Sequence, residues 1–205
     1  MATRLTRAER SEQTKAELVE AARRVFLERG FHGASLDDIS LEAGFTTGAV
    51  YSRFGGKDAL FLAVLDHHIE QRLERYLEAA AHAPDFETAC RELGRAAVAA
   101  GRREPGWTPL LMEFWMHAAR RDDLRAAVLE RNERQLDVLA ERMEEIAARE
   151  GVAPRRPVRE ILRAVTALAR GLGLERQLAP DPELEEIYTE YAWAMTQAFT
   201  ERSTT

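Results

Sequence analysis

Apolar residues recur at intervals of three and four along almost the whole chain, and Val, Ile and Thr never alternate with polar residues over a strand length. A period near 3.6 lines one face of a helix, whereas a half-buried strand needs a period of two. The chain is therefore expected to be all-α, with about nine helices. Its 205 residues suffice for one domain or two small ones. No run of 18 uncharged apolar residues occurs, and Met1-Ala2-Thr3-Arg4-Leu5 is not followed by an apolar stretch. Cys90 is the one cysteine, which excludes an internal disulfide. We expect a cytoplasmic protein with no membrane partner.

Breaking residues divide the pattern. Leu18, Ala22, Val25 and Phe26 form the stripe of a first helix ended by Gly30. Ser35 and Asp38 form a capping-box-like start to a second helix, which runs through Ile39 to Ala43 and stops at Gly44. Thr46 is placed to cap a short third helix that Gly55-Gly56 stops. A long fourth helix starts at Lys57 or Asp58, and its stripe includes Leu60, Phe61, Val64 and Tyr76. A fifth, from Phe86, carries Cys90 and Leu93, and a sixth puts Trp107, Leu110, Leu111, Phe114, Trp115 and Ala118 on one face. A seventh extends from about Leu124 towards Gly151, and Val152–Pro157 reads as a loop with Pro157 at the first helical position. The last two helices are expected over 158–178 and 183–202, separated by Ala179-Pro180-Asp181-Pro182, with Ser203-Thr204-Thr205 as a frayed end.

The net charge of −6 argues against nucleic acid when taken whole, but residues 1–65 balance nine basic against nine acidic side chains, so the excess negative charge lies beyond them. Within that neutral part, a helix, a Gly-containing turn of three residues and a two-turn helix make the helix-turn-helix pattern. Two readings are open on spacing alone: a helix that enters a major groove, or a plain helical corner.

The order of residues goes further. The segment from Ser35 to Leu60, "SLDDISLEAGFTTGAVYSRFGGKDAL", resembles the DNA-binding segment of the tetracycline-repressor (TetR) family of bacterial transcriptional regulators, over about the first 65 residues. The matching features are the Ser35 cap, Ile39, Ala43-Gly44, Phe45-Thr46, Gly48, Val50-Tyr51, Phe54, Lys57-Asp58 and Leu60. The resemblance implies that Thr47, Gly48, Ala49, Ser52 and Arg53 face base edges while Thr46, Tyr51 and Lys57 hold phosphates. Ser35, which opens the segment, is counted with these DNA-facing residues. Val50 and Phe54 should instead pack on Leu18, Val25, Phe26 and Ile39. The sequence departs from the family's commoner pattern at Phe45, often Val, and at Ser52, often a larger polar residue. Tyr51 keeps a second reading as a core residue beside Val50. Arg4, Arg7 and Arg10 form either a basic arm on DNA or a solubilising tail.

The resemblance also implies two domains, 1–56 for DNA and 57–205 for regulation, the latter binding a small molecule and forming a homodimer through its last two helices. Ile161, Leu162, Val165, Leu168, Ala169 and Leu172, with small Ala164, Ala167, Gly171 and Gly173, suit such a face, as do Leu184, Ile187, Tyr188, Tyr191, Met195, Ala198 and Phe199. The alternative is that both helices only close the monomer core. For a pocket, Trp107, Leu111, Phe114 and Trp115 with Cys90, Leu93, Leu139 and Met143 are the candidates, plain core being the other reading. Glu113 and His117 are expected to pair as a solvated bridge, and Arg91 and Arg170 to meet either a ligand acid or exterior carboxylates. His67, His68 and Glu70 read as exposed polar residues rather than metal ligands, and no nucleophile elbow or phosphate loop occurs. No enzyme activity, cofactor or metal is expected. The expected function is thus a repressor on a pseudo-palindromic duplex DNA operator, released by a ligand through the fourth helix as a lever. The alternative is a helical small-molecule carrier or enzyme in which residues 35–60 are a structural corner.

Overall fold

The computed structural model describes residues 6–179 and 183–202. Among them are nine helices: α1 (Arg7–Gly33), α2 (Leu36–Ala43), α3 (Thr47–Phe54), α4 (Lys57–Ala81), α5 (Phe86–Arg103), α6 (Trp107–Ala118), α7 (Asp122–Arg149), α8 (Val158–Leu178) and α9 (Glu183–Ala198). None is long and apolar enough to cross a membrane. The expected break at 179–182 falls largely on residues 180–182, which lie outside the described residues, as do Arg4 and Ser203-Thr204-Thr205.

The all-α expectation holds, and the departures from it are local: β1 (Val152–Pro154) pairs antiparallel with β2 (Thr200–Arg202). The stretch read as a loop is extended, and α9 stops at Ala198 because the chain turns into the ladder, where Phe199 O accepts from the Arg155 N–H at 2.7 Å. Three-residue strands are too short to show a period. Pro157 stands one place earlier than expected, as the N-cap of α8.

The chain falls into two compact units, residues 1–68 with 110–128, and residues 69–109 with 129–205. The boundary read at 56/57 lies inside the first unit, because α4 continues its core through Leu60, Phe61 and Val64, all fully buried. That core also holds Leu18, Phe26, Ile39 and Val50. The Phe61 ring stacks on Phe114 at 4.1 Å and meets Phe26 edge-on at 5.1 Å, while Phe31 meets Phe114 at 4.9 Å. Such pairs each add about 0.5–1.5 kcal/mol to area burial.

Gly30 (φ 71, ψ 172) breaks α1 where the sequence ends its first helix, and Phe31–Gly33 form one further turn. The Glu113 carboxylate occupies that break, accepting the N–H groups of Phe31 and His32, both at 2.9 Å. His117 Nε2 lies 3.0 Å from Asp58 Oδ1, and Arg121 donates to Asp58 Oδ2 at 2.5 Å. Glu113 and His117 therefore serve separate partners instead of bridging each other, since α6 lies against α1 and α4 within this unit.

The second unit's core gathers Ala80, Ala83, Phe86, Ala89, Ala140, Met143, Ile146, Ala147, Val158 and Trp193, with Cys90, Leu93, Val152 and Leu162 against it. Alanines and Gly94 let helices approach: a Cβ at Gly94 would lie 3.6 Å from the Thr189 backbone. Burial pushes the Cys90 thiol up to about 12.

Candidate nucleic-acid interface

Three local devices set the geometry of residues 35–57. At the start of α2, Ser35 Oγ accepts from the Asp38 N–H at 3.1 Å and Asp38 Oδ2 accepts from the Ser35 N–H at 3.0 Å, a closed capping box. The Ser35 hydroxyl, which donates to Asp38 Oδ2 at 2.5 Å, then the Ser35 N–H and Arg29, hold the Asp38 carboxyl below its ordinary value. Gly44 (φ 70, ψ 27) then ends α2 in the left-handed region where a side chain would be strained. Finally Thr46 Oγ1 accepts from the Ala49 N–H at 3.2 Å and starts α3, and Gly55 (φ 77) stops it. Salt bridges from Arg24 to Glu42 (2.8 Å) and from Arg29 to Asp38 (2.6 Å) tie α2 to α1.

On this frame α3 is anchored by Val50, which is fully buried, with Phe54 half-buried. The opposite face carries Gly48, Tyr51, Ser52 and Arg53, all exposed. Tyr51 is 56% exposed, which removes its reading as a core residue: at one position past Val50 it is turned about 100° away from the buried stripe.

The expected DNA-facing residues divide by what their side chains already do. Ser35 and Thr46 are caps. Thr47 Oγ1 donates to Asp37 Oδ1 at 2.6 Å, and Ser52 Oγ donates to the Ala49 carbonyl at 3.0 Å. Arg53 Nη1 donates to the carbonyl and to the hydroxyl of Ser11, both at 3.1 Å, so α1 steadies it. Lys57 Nζ donates to the Ala34 carbonyl at 2.7 Å and lies 4.7 Å from the Phe31 ring centre, and partial burial holds its ammonium below its ordinary value. Lys57 thus closes the first unit's core as well as facing outward. Arg7 and Arg10 sit in the first turns of α1, behind a capping box of Thr6 with Glu9, rather than in an arm.

The sequence missed the support these residues receive from Ser11, Asp37 and Ala34. The bonds join groups ten, 23 and 42 positions apart, and no motif spacing announces them. Leu41, 84% exposed beside the turn, is a further unforeseen surface residue.

The eight expected pocket residues do not form the cleft found in the second unit. That cleft, about 660 Å³, is lined instead by Arg75, Glu78, Ala79, His82, Ala83, Thr88, Glu92, Ala96, Ala99 and Arg103. Phe114 is fully buried among the first unit's rings, where it is core rather than pocket wall. Leu111 and Trp115 belong to that unit by chain position, whereas Cys90, Leu93, Trp107, Leu139 and Met143 belong to the other. Leu139 and Met143 are buried at 4% and 2% exposure. Arg91 bridges Glu87 (3.0 Å) and Glu190 (2.6 Å), the exterior pairing that the sequence left as one option. His68 is buried at 5% exposure, which corrects its reading as an exposed residue: it follows the apolar stripe at four residues from Val64.

Comparison with known proteins bears on this geometry. Residues 18–64 match the family described as bacterial regulatory proteins, tetR family. The transcriptional activator FasR of Mycolicibacterium smegmatis is 40% identical over 67 residues, 33% of this chain and 29% of FasR. The transcriptional repressor NicS of Pseudomonas putida is 30% identical over 132 residues, 62% of each chain. These alignments thus span from under a third to under two thirds of those relatives' length. A TetR transcription regulator from Haloarcula marismortui has the same fold, with a TM-score of 0.75 at 19% identity, covering 93% of this chain and 100% of that one. The N-terminal helix-turn-helix region, residues 18–64, thus matches the tetR family of bacterial regulatory proteins, and the whole chain shares the fold of solved regulators of that description.

Proposed function

We propose that this protein is a cytoplasmic, homodimeric transcriptional repressor that binds a pseudo-palindromic operator through α3 and is released by a small molecule. The observation that carries the reading is the exposed face of α3, with Tyr51, Ser52 and Arg53 presented on a helix whose other side is pinned by buried Val50. Ser52 and Arg53 suit base edges; Tyr51, Lys57 and the hydroxyls of Thr46 and Thr47 suit phosphates. Gly48, with no side chain, lets the backbone come close to the duplex, and Ala49 suits a thymine methyl.

The homodimer is supported by apolar side chains left outside. On α8, Leu174 (39%) and Leu178 (89%) are exposed, following small Ala167 and Gly171, and on α9, Ile187 (40%) and Tyr191 (61%) are exposed. Ile161 and Tyr188 are buried at 6% and 3%, so part of the face expected for the dimer is monomer core. The side chain of Leu184 lies outside the described residues. Two copies of α8 and α9 would make a two-fold four-helix bundle that sets two α3 helices about 34–36 Å apart, one helical repeat of DNA.

The regulatory reading assigns residues 57–205 to ligand and dimer, with α4 as the lever. A ligand that favours a mis-spaced conformer by 1–3 kcal/mol changes operator affinity roughly 5- to 150-fold, and the operator weakens ligand binding by the same factor. The test is a gel-shift titration on DNA from upstream of the protein's own gene. A shift that weakens steeply with salt supports the reading. No shift at any salt concentration would return residues 35–60 to the role of a structural corner in a helical carrier or enzyme.

A further inference from the structure

Two side chains on the exposed face of α3 already commit part of their hydrogen-bonding capacity inside the protein, and what is left decides the chemistry they offer. Arg53 Nη1 donates to the Ser11 carbonyl and to the Ser11 hydroxyl, both at 3.1 Å, and so uses both of its hydrogens on α1. Among the described residues, Nε and Nη2 of Arg53 have no partner. These two groups form the side-on edge of the guanidinium, whose parallel N–H bonds make a bidentate fork. One residue earlier, Ser52 Oγ donates to the Ala49 carbonyl at 3.0 Å. A carbonyl can only accept, so that bond holds the one hydroxyl proton and leaves the Ser52 oxygen as an acceptor. Arg53 and Ser52 are exposed, whereas Ser11 is half-buried.

A free arginine samples many rotamers and loses them on binding, and Ser11 restricts Arg53 before any contact is made. In the major groove, guanine presents O6 and N7 as two acceptors, the pattern that a guanidinium fork matches. An accepting hydroxyl needs a donor instead. The donors on the major-groove edge are the amino groups of adenine N6 and cytosine N4. Guanine and thymine offer polar acceptors alone, so the bond to Ala49 has to open before Ser52 meets them. Consecutive Cα atoms lie about 3.8 Å apart, close to the roughly 3.4 Å rise of one base step, which puts both contacts in one half-site.

We propose that each operator half-site holds a guanine read by the Nε–Nη2 edge of Arg53 and an exocyclic amino group, adenine N6 or cytosine N4, read by the Ser52 oxygen. Ser11 is a positioning residue: it acts through Arg53 and touches no base. This inference rests on the reading of α3 as the helix that enters the major groove.

The test selects from a pool of duplexes with a randomised central segment, using the full-length protein, and then measures the enriched duplex by gel shift. Arg53→Ala should abolish a guanine preference at one position of each half-site and leave the other positions unchanged. At that position 7-deazaguanine, which lacks N7, should weaken the wild type about tenfold or more. Ser11→Ala should weaken the enriched duplex roughly 3- to 10-fold, the loss of one bond to a charged group at an exposed site. It should spare a scrambled duplex and the salt slope, and have no further effect in an Arg53→Ala background. Where Ser52→Ala flattens the preference, purine in place of adenine, or 2-pyrimidinone in place of cytosine, deletes the amino group. Either should weaken the wild type by a similar factor, whereas 7-deazaadenine, which keeps the amino group, should not. An equal loss on every sequence in Arg53→Ala, with a smaller salt slope, would make Arg53 a phosphate contact and overturn the proposal. So would a Ser11→Ala loss that persists without Arg53, or tolerance of the deleted amino group. The base-analogue comparisons use the wild type alone and hold even where a variant fails to fold. A shift with no enriched sequence sinks this inference and keeps DNA binding, whereas no shift on any duplex sinks the reading of α3 as well.

Discussion

The Glu113 carboxylate accepts the backbone N–H of Phe31 at 2.9 Å, across 82 positions of chain, and so fills the gap that Gly30 opens in α1. Its second oxygen accepts from His32 at the same distance. Gly30 has to be glycine twice over: its φ of 71 lies in the left-handed region, and a Cβ there would sit 2.7 Å from Glu113 Oε2. Glu113→Ala should therefore lower stability by about 1.5–3 kcal/mol, the usual net value of hydrogen bonds to a charged group. Gly30→Ala should cost at least about 1–2 kcal/mol from backbone strain alone. In urea unfolding, the double variant should fall short of the sum, because Glu113→Ala also removes the clash. Full additivity would show that the two sites are independent.

The capping box at α2 links acid sensitivity to the reading unit. Ser35→Ala should cost about 1 kcal/mol near neutral pH. The sign of its pH dependence follows from Asp38, whose folded value lies below the ordinary one chiefly because the Ser35 hydroxyl donates to its Oδ2 at 2.5 Å, a bond that the variant lacks. A depressed carboxyl contributes stability above its unfolded value of about 3.9 and loses it as pH falls through the folded value. The difference between wild type and Ser35→Ala should therefore shrink below about pH 4, and in NMR titration the Asp38 midpoint should rise in the variant. An unmoved midpoint would remove Ser35 as the cause.

Arg53 and Lys57 should separate base reading from phosphate contact. Arg53→Ala is expected to weaken specific operator binding by about 1–3 kcal/mol, with thermal stability nearly unchanged because the side chain is exposed. Lys57→Ala should weaken binding to every sequence and lower the salt slope by about one unit. It should also destabilise the fold by about 1.5–3 kcal/mol, since Lys57 donates to the Ala34 carbonyl and covers the Phe31 ring. Gel shifts at several salt concentrations together with thermal unfolding check both parts.

If α8 and α9 make the homodimer, charge placed on their exposed apolar side chains should break it. Leu178→Glu combined with Tyr191→Glu should sediment as a monomer with unchanged helical circular dichroism, as should a chain ending before Pro182 lose its dimer. A dimer that survives both would place the interface elsewhere.

Cys90 should be nearly inert in the native protein. With its thiol at about 12, on the order of one molecule in ten thousand carries the reactive thiolate at pH 8. An aromatic disulfide reagent should label it only after unfolding, and fast native labelling would mean that the second unit's core opens.

The helices and the turn between α2 and α3 were legible in the sequence because their determinants are local. Ser35, Thr46, Gly44 and Gly55 act through hydrogen bonds or dihedral angles spanning at most four residues, so order alone decides them. The exposed face of α3 was legible through the resemblance of its residues to a family. What α6 does was not. Its aromatic stripe can be read as pocket wall or as plain core, and only packing put Phe114 on Phe61, sent Glu113 to α1 and gave His117 to Asp58. The β1–β2 pairing is of the same kind. Each joins residues far apart in the chain, where burial and closure entropy, rather than local propensity, choose the partner.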